Sequence, residues 1–103
     1  MSASGFVAVL VIDLHFPQAG SLKSKRQELS SVKAQLHRRL GVAVSETDHH
    51  ELWQRATLTA ALTARSLSSL TGAVENVERW LHARFPDGVR VERLIASVED
   101  LRG

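Results

Sequence analysis

Three features of the sequence predict an α+β fold with elements in the order βαββαβ. They are the unbroken apolar run FVAVLVI near the start, two stretches whose apolar residues recur at helical spacing, and the threonine-alternating segment RATLTAALTA between those stretches. The chain has 103 residues, 44% of them apolar and 23% charged, enough for one hydrophobic core and too few for two. A single domain over residues 1–103 is expected, with residues 1–5 loose.

The first strand is expected over Phe6–Leu14, where both alternating sets are apolar: Phe6, Ala8, Leu10, Ile12 and Leu14 on one side, Val7, Val9 and Val11 on the other. A strand apolar on both faces belongs in the middle of a sheet. HFPQAG then breaks the chain, and Ser21 stands where a helix N-cap would. Leu22, Leu29, Val32, Leu36 and Leu40 recur at helical spacing up to Gly41, a C-terminal stop. VAVSET reads as the second strand and DHHELWQ as a connection. RATLTAALTA is assigned as the third strand because Thr57, Thr59 and Thr63 favour extended backbone, although its alanines and leucines also permit a helix. A second helix follows on Leu67, Leu70, Val74, Val77, Leu81 and Phe85, ended by Pro86, Asp87 and Gly88, and VRVERLIASVE closes the chain as the fourth strand.

A split βαβ unit repeated in this way implies a ferredoxin-like sandwich: four antiparallel strands in spatial order 4-1-3-2, with both helices on one face. Nothing in the chain then covers the other face. Val7, Val9, Val11, Thr57 and Thr59 would lie open there, and such a patch marks an interaction surface. Sheet-to-sheet homodimerisation is the expected use.

Composition removes several chemistries. With no cysteine there is no disulfide, thiolate metal site or cysteine nucleophile. The N-terminal apolar run has seven residues and ends at Asp13, too short to span a membrane and without the basic start of a signal peptide. A cytoplasmic location away from membranes is expected. The net charge of +2 is unevenly spread: residues 1–40 carry Lys23, Lys25, Arg26, Lys33, Arg38 and Arg39 against Asp13 and Glu28, so the first helix is the basic element. A basic helix suits an anionic partner, although a solvated surface helix is the commoner case.

The topology gathers the chemically rich residues at one rim. His15, Ser21, Lys23, Lys25 and Arg26 meet Glu46, Asp48, His49, Glu51, Trp53, Gln54 and Arg55 there. Lysines in the first turn oppose the helix dipole, at about 0.3 to 1 kcal/mol each when exposed, while free N–H groups beside them would receive phosphate. The competing expectation is structural, with Arg26 or Lys25 pairing with Glu46 or Asp48. Adjacent His49 and His50 do not share a helix face as zinc ligands would, but His15, Asp48 and His49 form a conceivable metal or hydrolytic set. No nucleophile motif or glycine-rich loop accompanies them, so no enzyme and no cofactor is expected. Trp53, beside Leu52, is expected to cover the core. The sheet offers valines and threonines where RNA-recognition domains stack bases on aromatics, so any RNA contact should be with phosphates.

Two motifs, LHFPQAGSLKSKRQ and SETDHHELWQRATL, resemble those of the bacterial YlxP-like proteins, a domain of unknown function, and the likeness runs from about Phe6 to Glu99. That resemblance implies a ferredoxin-like fold. It also implies an association with ribosome maturation or translation, and carries no established enzymatic activity. The family pattern falls on Ser21, Leu22, Lys23, Lys25 and Arg26, and on Glu46, Asp48, His49, Leu52, Trp53, Gln54 and Arg55; His50 departs from it. The expected function is therefore a small cytoplasmic protein contacting ribosomal RNA or a ribosomal subunit, with Ser21, Lys23, Lys25, Lys33 and Arg55 at the phosphates. The alternatives are a homodimeric interaction module and a metal-binding or hydrolytic protein.

Overall fold

A computed structural model describes residues 5–103, and the residues expected to form a loose N-terminus lie outside it apart from Gly5. The elements run β1 (Phe6–His15), α1 (Leu22–Leu40), β2 (Ala43–Asp48), β3 (Arg55–Ala64), α2 (Leu67–Arg84), β4 (Val89–Ser97) and α3 (Val98–Arg102). The four strands form one antiparallel sheet in the order β2-β3-β1-β4, which is β4-β1-β3-β2 counted from the opposite edge. This α+β architecture is compatible with a ferredoxin-like sandwich, to which α3 is an addition.

Strand alternation builds the core. Ala8, Leu10, Ile12 and Leu14 of β1 and Ala56, Leu58, Ala60 and Leu62 of β3 all turn to the same side and are buried. Leu29, Val32 and Leu36 of α1, and Leu70, Val74, Val77 and Leu81 of α2, close over them. Each helix is capped as its sequence dictates. The Ser21 hydroxyl accepts from the Ser24 N–H, Ser66 does the same for Ser69, and Gly41 ends α1 with φ 65°, a conformation that glycine adopts without steric penalty.

Two details differ from the sequence reading. Leu67 is 49% exposed and so lies outside the α2 stripe. The fourth strand ends at Ser97, where a capping box with Asp100 starts α3. Val98 and Glu99 therefore belong to a helix, because reciprocal side-chain caps satisfy the backbone where the ladder with β1 stops. Those contacts hold the Asp100 carboxyl below its ordinary range.

On the outer surface Arg93 of β4 donates to Glu78 of α2, its Nε 2.8 Å from Oε2. This bond holds the Glu78 carboxyl below its ordinary 4.5. A depressed folded-state value gives stability that is present above pH 4.5 and disappears as pH falls through the lowered value. The pair lies at the surface and is partly solvent-exposed, so Arg93→Gln is expected to remove only about 0.5 kcal/mol near neutrality. The difference from the native chain should vanish in strong acid when urea unfolding is followed against pH.

Candidate functional site

The rim at the end of β1 is organised around a lysine. Lys25 is fully buried, at a position on the core-facing side of α1 between Leu22 and Leu29. Its ammonium donates to the carbonyls of His49 at 2.9 Å, Arg55 at 3.1 Å and His50 at 3.4 Å. The carboxylate of Glu46 lies 3.5 Å away. A buried charge is tolerable only when its donors are satisfied and a counter-charge is near, and the β2–β3 connection supplies both by wrapping around Lys25. His49 carries the sharpest part of that wrap. Its φ is +64°, its N–H donates to Asp48 Oδ1 at 2.7 Å, and its carbonyl accepts from both Lys25 and the Leu52 N–H. A non-glycine residue in the left-handed region is uncommon, and here the surrounding bonds hold it.

Lys25 therefore cannot touch phosphate, which corrects its expected role: the ammonium is sealed under the loop. Arg26 is not a partner for Glu46 or Asp48 either. It is exposed on the outer side of α1, and Lys25 is the one that meets Glu46. Asp48 instead serves the His49 backbone. Ser21 accepts the Ser24 N–H with its hydroxyl oxygen at 3.1 Å, which makes it the cap of α1.

Arg55 is exposed and follows a different geometry. Its neighbour Ala56 points into the core, so alternation sends Arg55 to the opposite face of the sheet, away from α1. There it stands across from His15 in the β1–β3 ladder and lines a shallow groove with Asp13, Asp87 and Arg90. The structure thus separates Arg55 from Lys23 and Lys33.

Trp53 does not cover the core: it is 53% exposed, beside Leu52 at 44%. Phe16 fills the place expected of it, packing edge-on against Phe85 at 5.5 Å between centroids. Gln54 ties the loops together, its Nε2 donating to the carbonyls of Pro17 and Ala19 while its own carbonyl accepts from the Phe16 N–H. His15 is exposed and borders three grooves, one of them about 440 Å3 over Phe16 and Phe85. Among the described residues, no three His, Asp or Glu side chains gather as metal ligands. The conceivable set of His15, Asp48 and His49 is therefore not assembled, because β3 stands between β1 and the β2 end.

What remains unclaimed by the fold is the outer flank of α1. Lys23, Arg26, Lys33 and His37 recur at spacings of three, seven and four residues, with Gln27 and Ser30 between them. At 3.6 residues per turn these positions share one side of the helix. Glu28 lies round the helix from them and pairs with Arg84 of α2 at 3.0 Å, so the basic stripe is turned away from α2. Among the described residues, Lys23, Arg26 and Lys33 have no carboxylate within 4.0 Å. Arg38 and Arg39 need no such explanation, since the last turn of a helix favours positive charge. Arg26 was the member of this stripe that sequence reasoning assigned elsewhere; its spacing from Lys23 and Lys33 was the available signal.

No helix among the described residues is long and apolar enough to cross a membrane. A comparison with solved structures finds the de novo designed protein Foldit4, 12% identical, with a TM-score of 0.56 over 90% of this chain and 97% of that one; the likeness is one of fold. No curated protein matches. The family model described as a protein of unknown function, DUF503, matches residues 7–98, and the chain belongs to that family.

Proposed function

We propose that the chain is a YlxP-like cytoplasmic protein that contacts RNA phosphates on a ribosomal subunit through the outer flank of α1. The single observation that carries this reading is the stripe of Lys23, Arg26 and Lys33, which the fold neither neutralises nor uses. Lys23 sits in the first turn, where no acidic residue is present and where a cation is mildly unfavourable. Stability alone would place an acid there. An anionic partner reverses that balance. Exposed cations on a rigid helix bind phosphates by charge and position, with little sequence preference.

The test is co-sedimentation of the purified protein with ribosomal subunits across a salt series. Native protein is expected to sediment with a subunit at low salt and to be released as salt rises. Lys23→Glu/Arg26→Glu/Lys33→Glu should bind at least tenfold more weakly, with a salt slope shallower by about 2 to 3, corresponding to three lost phosphate contacts. No co-sedimentation of native protein at low salt, or unchanged binding by the triple variant, would refute the reading. A homodimeric role is favoured by a different observation, the open face of the sheet.

A further inference from the structure

Both long helices lie on one side of the sheet, so the other side presents a surface made entirely by strand alternation. Its rows can be read from the register. One row is Asp48 of β2, Thr57 of β3, Asp13 of β1 and Arg90 of β4; another is Ala43, Ala61, Val9 and Leu94. Leu94 is 50% exposed, the most open large apolar side chain of the four strands. Thr57 is already buried, donating to Asp13 Oδ1 at 2.8 Å, so of the threonines expected at an interface it has the least to contribute. Arg90 stands beside Asp13 in the ladder, yet it has no carboxylate within 4.0 Å among the described residues.

These rows are self-complementary in one way only. A two-fold axis parallel to the strands, passing between β1 and β3, sets β4 of one copy over β2 of the other and β1 over β3. Each row then meets itself reversed. Leu94 falls on the second copy's Ala43 and Val9 on its Ala61, large against small, while Arg90 falls on the second copy's Asp48. An axis across the strands would instead press the row of Asp48, Asp13 and Arg90 onto the end of the sheet that carries Val7 and Ala96, leaving those charges without partners.

We infer that the open sheet face is the interface of a homodimer whose two-fold axis runs along the strands between β1 and β3, with Arg90 of each copy paired to Asp48 of the other. The occupant is a second copy of this chain because the surface complements itself in both size and charge. Four strands about 4.8 Å apart, overlapping over about six or seven residues, give a footprint of about 390 to 460 Å2 in flat projection for each copy. Pleating and side chains raise the buried accessible area above this, to on the order of 1,000 Å2 in total, the size at which specific interfaces begin. The inference is independent of the RNA reading, since both basic helices stay on the outside of such a dimer.

Sedimentation velocity on the full chain over a concentration series tests it. Native protein is expected at twice the monomer mass, and Leu94→Asp at the monomer mass with unchanged far-ultraviolet circular dichroism. Arg90→Asp and Asp48→Arg, each alone, should weaken dimerisation at least tenfold by setting like charges together twice. Mixing the two variants in equal amounts should restore the dimer, because both inter-copy contacts then join opposite charges. A monomeric native protein would overturn the inference, as would a Leu94→Asp dimer. Two folded variants whose equimolar mixture stays as weak as either alone would overturn the axis and the Arg90 pairing.

Discussion

Lys25→Met is expected to destabilise the chain by about 3 to 5 kcal/mol, the usual range for removing one partner from a buried ionic cluster. Methionine matches the apolar stem of lysine and keeps its packing beneath α1, so little of the loss comes from a cavity. The loss comes from what the ammonium served. The carbonyls of His49 and Arg55 lose their 2.9 and 3.1 Å donor; His49 keeps the Leu52 N–H, and an acceptor left without any partner costs about 1 to 3 kcal/mol. Glu46, whose side chain is only 17% exposed, loses the lysine counter-charge and keeps only the His50 imidazole at 4.0 Å. His49 also loses one of the bonds that hold its positive φ. Changing Glu46 to leucine in the same chain should recover part of the loss and not all of it, because backbone carbonyls cannot be removed by substitution. Urea unfolding measures the effect as a lower midpoint at unchanged slope. A loss below 1 kcal/mol would show that the cluster is replaceable. Hydrogen exchange should also show residues 49–54 opening well before the sheet does.

This cluster marks where the sequence stopped being legible. The strands and helices were readable because their signals are local: β1 is apolar on both faces, Thr57, Thr59 and Thr63 alternate with core residues, and Ser21 and Gly41 bracket α1. Lys25 stands at helical spacing from Leu22 and Leu29, but periodicity cannot say whether such a lysine dips inward or swings out. The decision depends on carbonyls from a loop more than twenty residues away, and carbonyls have no letter in a sequence. The same limit hid His49, whose contribution is a backbone angle, not an imidazole. Arg55 was grouped with the helix lysines for another reason. Grouping residues by which end of the sheet they occupy ignores which face they take, and strand alternation, with Thr57 two residues on, already put Arg55 on the threonine face. For Trp53 the sequence offered an aromatic next to a leucine, a pattern shared by core cover and exposed loop. The α3 helix had a legible start, Ser97 with Asp100 three residues on, which the branched Val98 disguised as continuing strand.

Phe16→Ala is expected to cost about 3 kcal/mol, near the lower end for a buried phenylalanine. The ring is 2% exposed and packs edge-on against Phe85, while its backbone joins the loop between β1 and α1 to Gln54 and Ala19. Those backbone bonds survive the substitution. The apolar groove over the two rings also lets water reach the space the side chain vacates, so the void is partly refilled and the penalty stays below that of a sealed cavity. Phe85→Ala should lose a similar amount, including the contact of Arg84 with its ring at 4.9 Å, while the Arg84 bond to Glu28 remains. The two changes share one contact and should not add. A double-mutant cycle is expected to give a coupling of about 0.5 to 1.5 kcal/mol, the range for edge-on aromatic pairs. Full additivity within 0.3 kcal/mol, on the scale of independent sites, would mean the rings act separately. The cycle also separates structure from function: Phe16 lines a groove with Glu28 and Arg84, round α1 from Lys23 and Arg26, so at a temperature where Phe16→Ala stays folded, its co-sedimentation with ribosomal subunits should match that of the native chain.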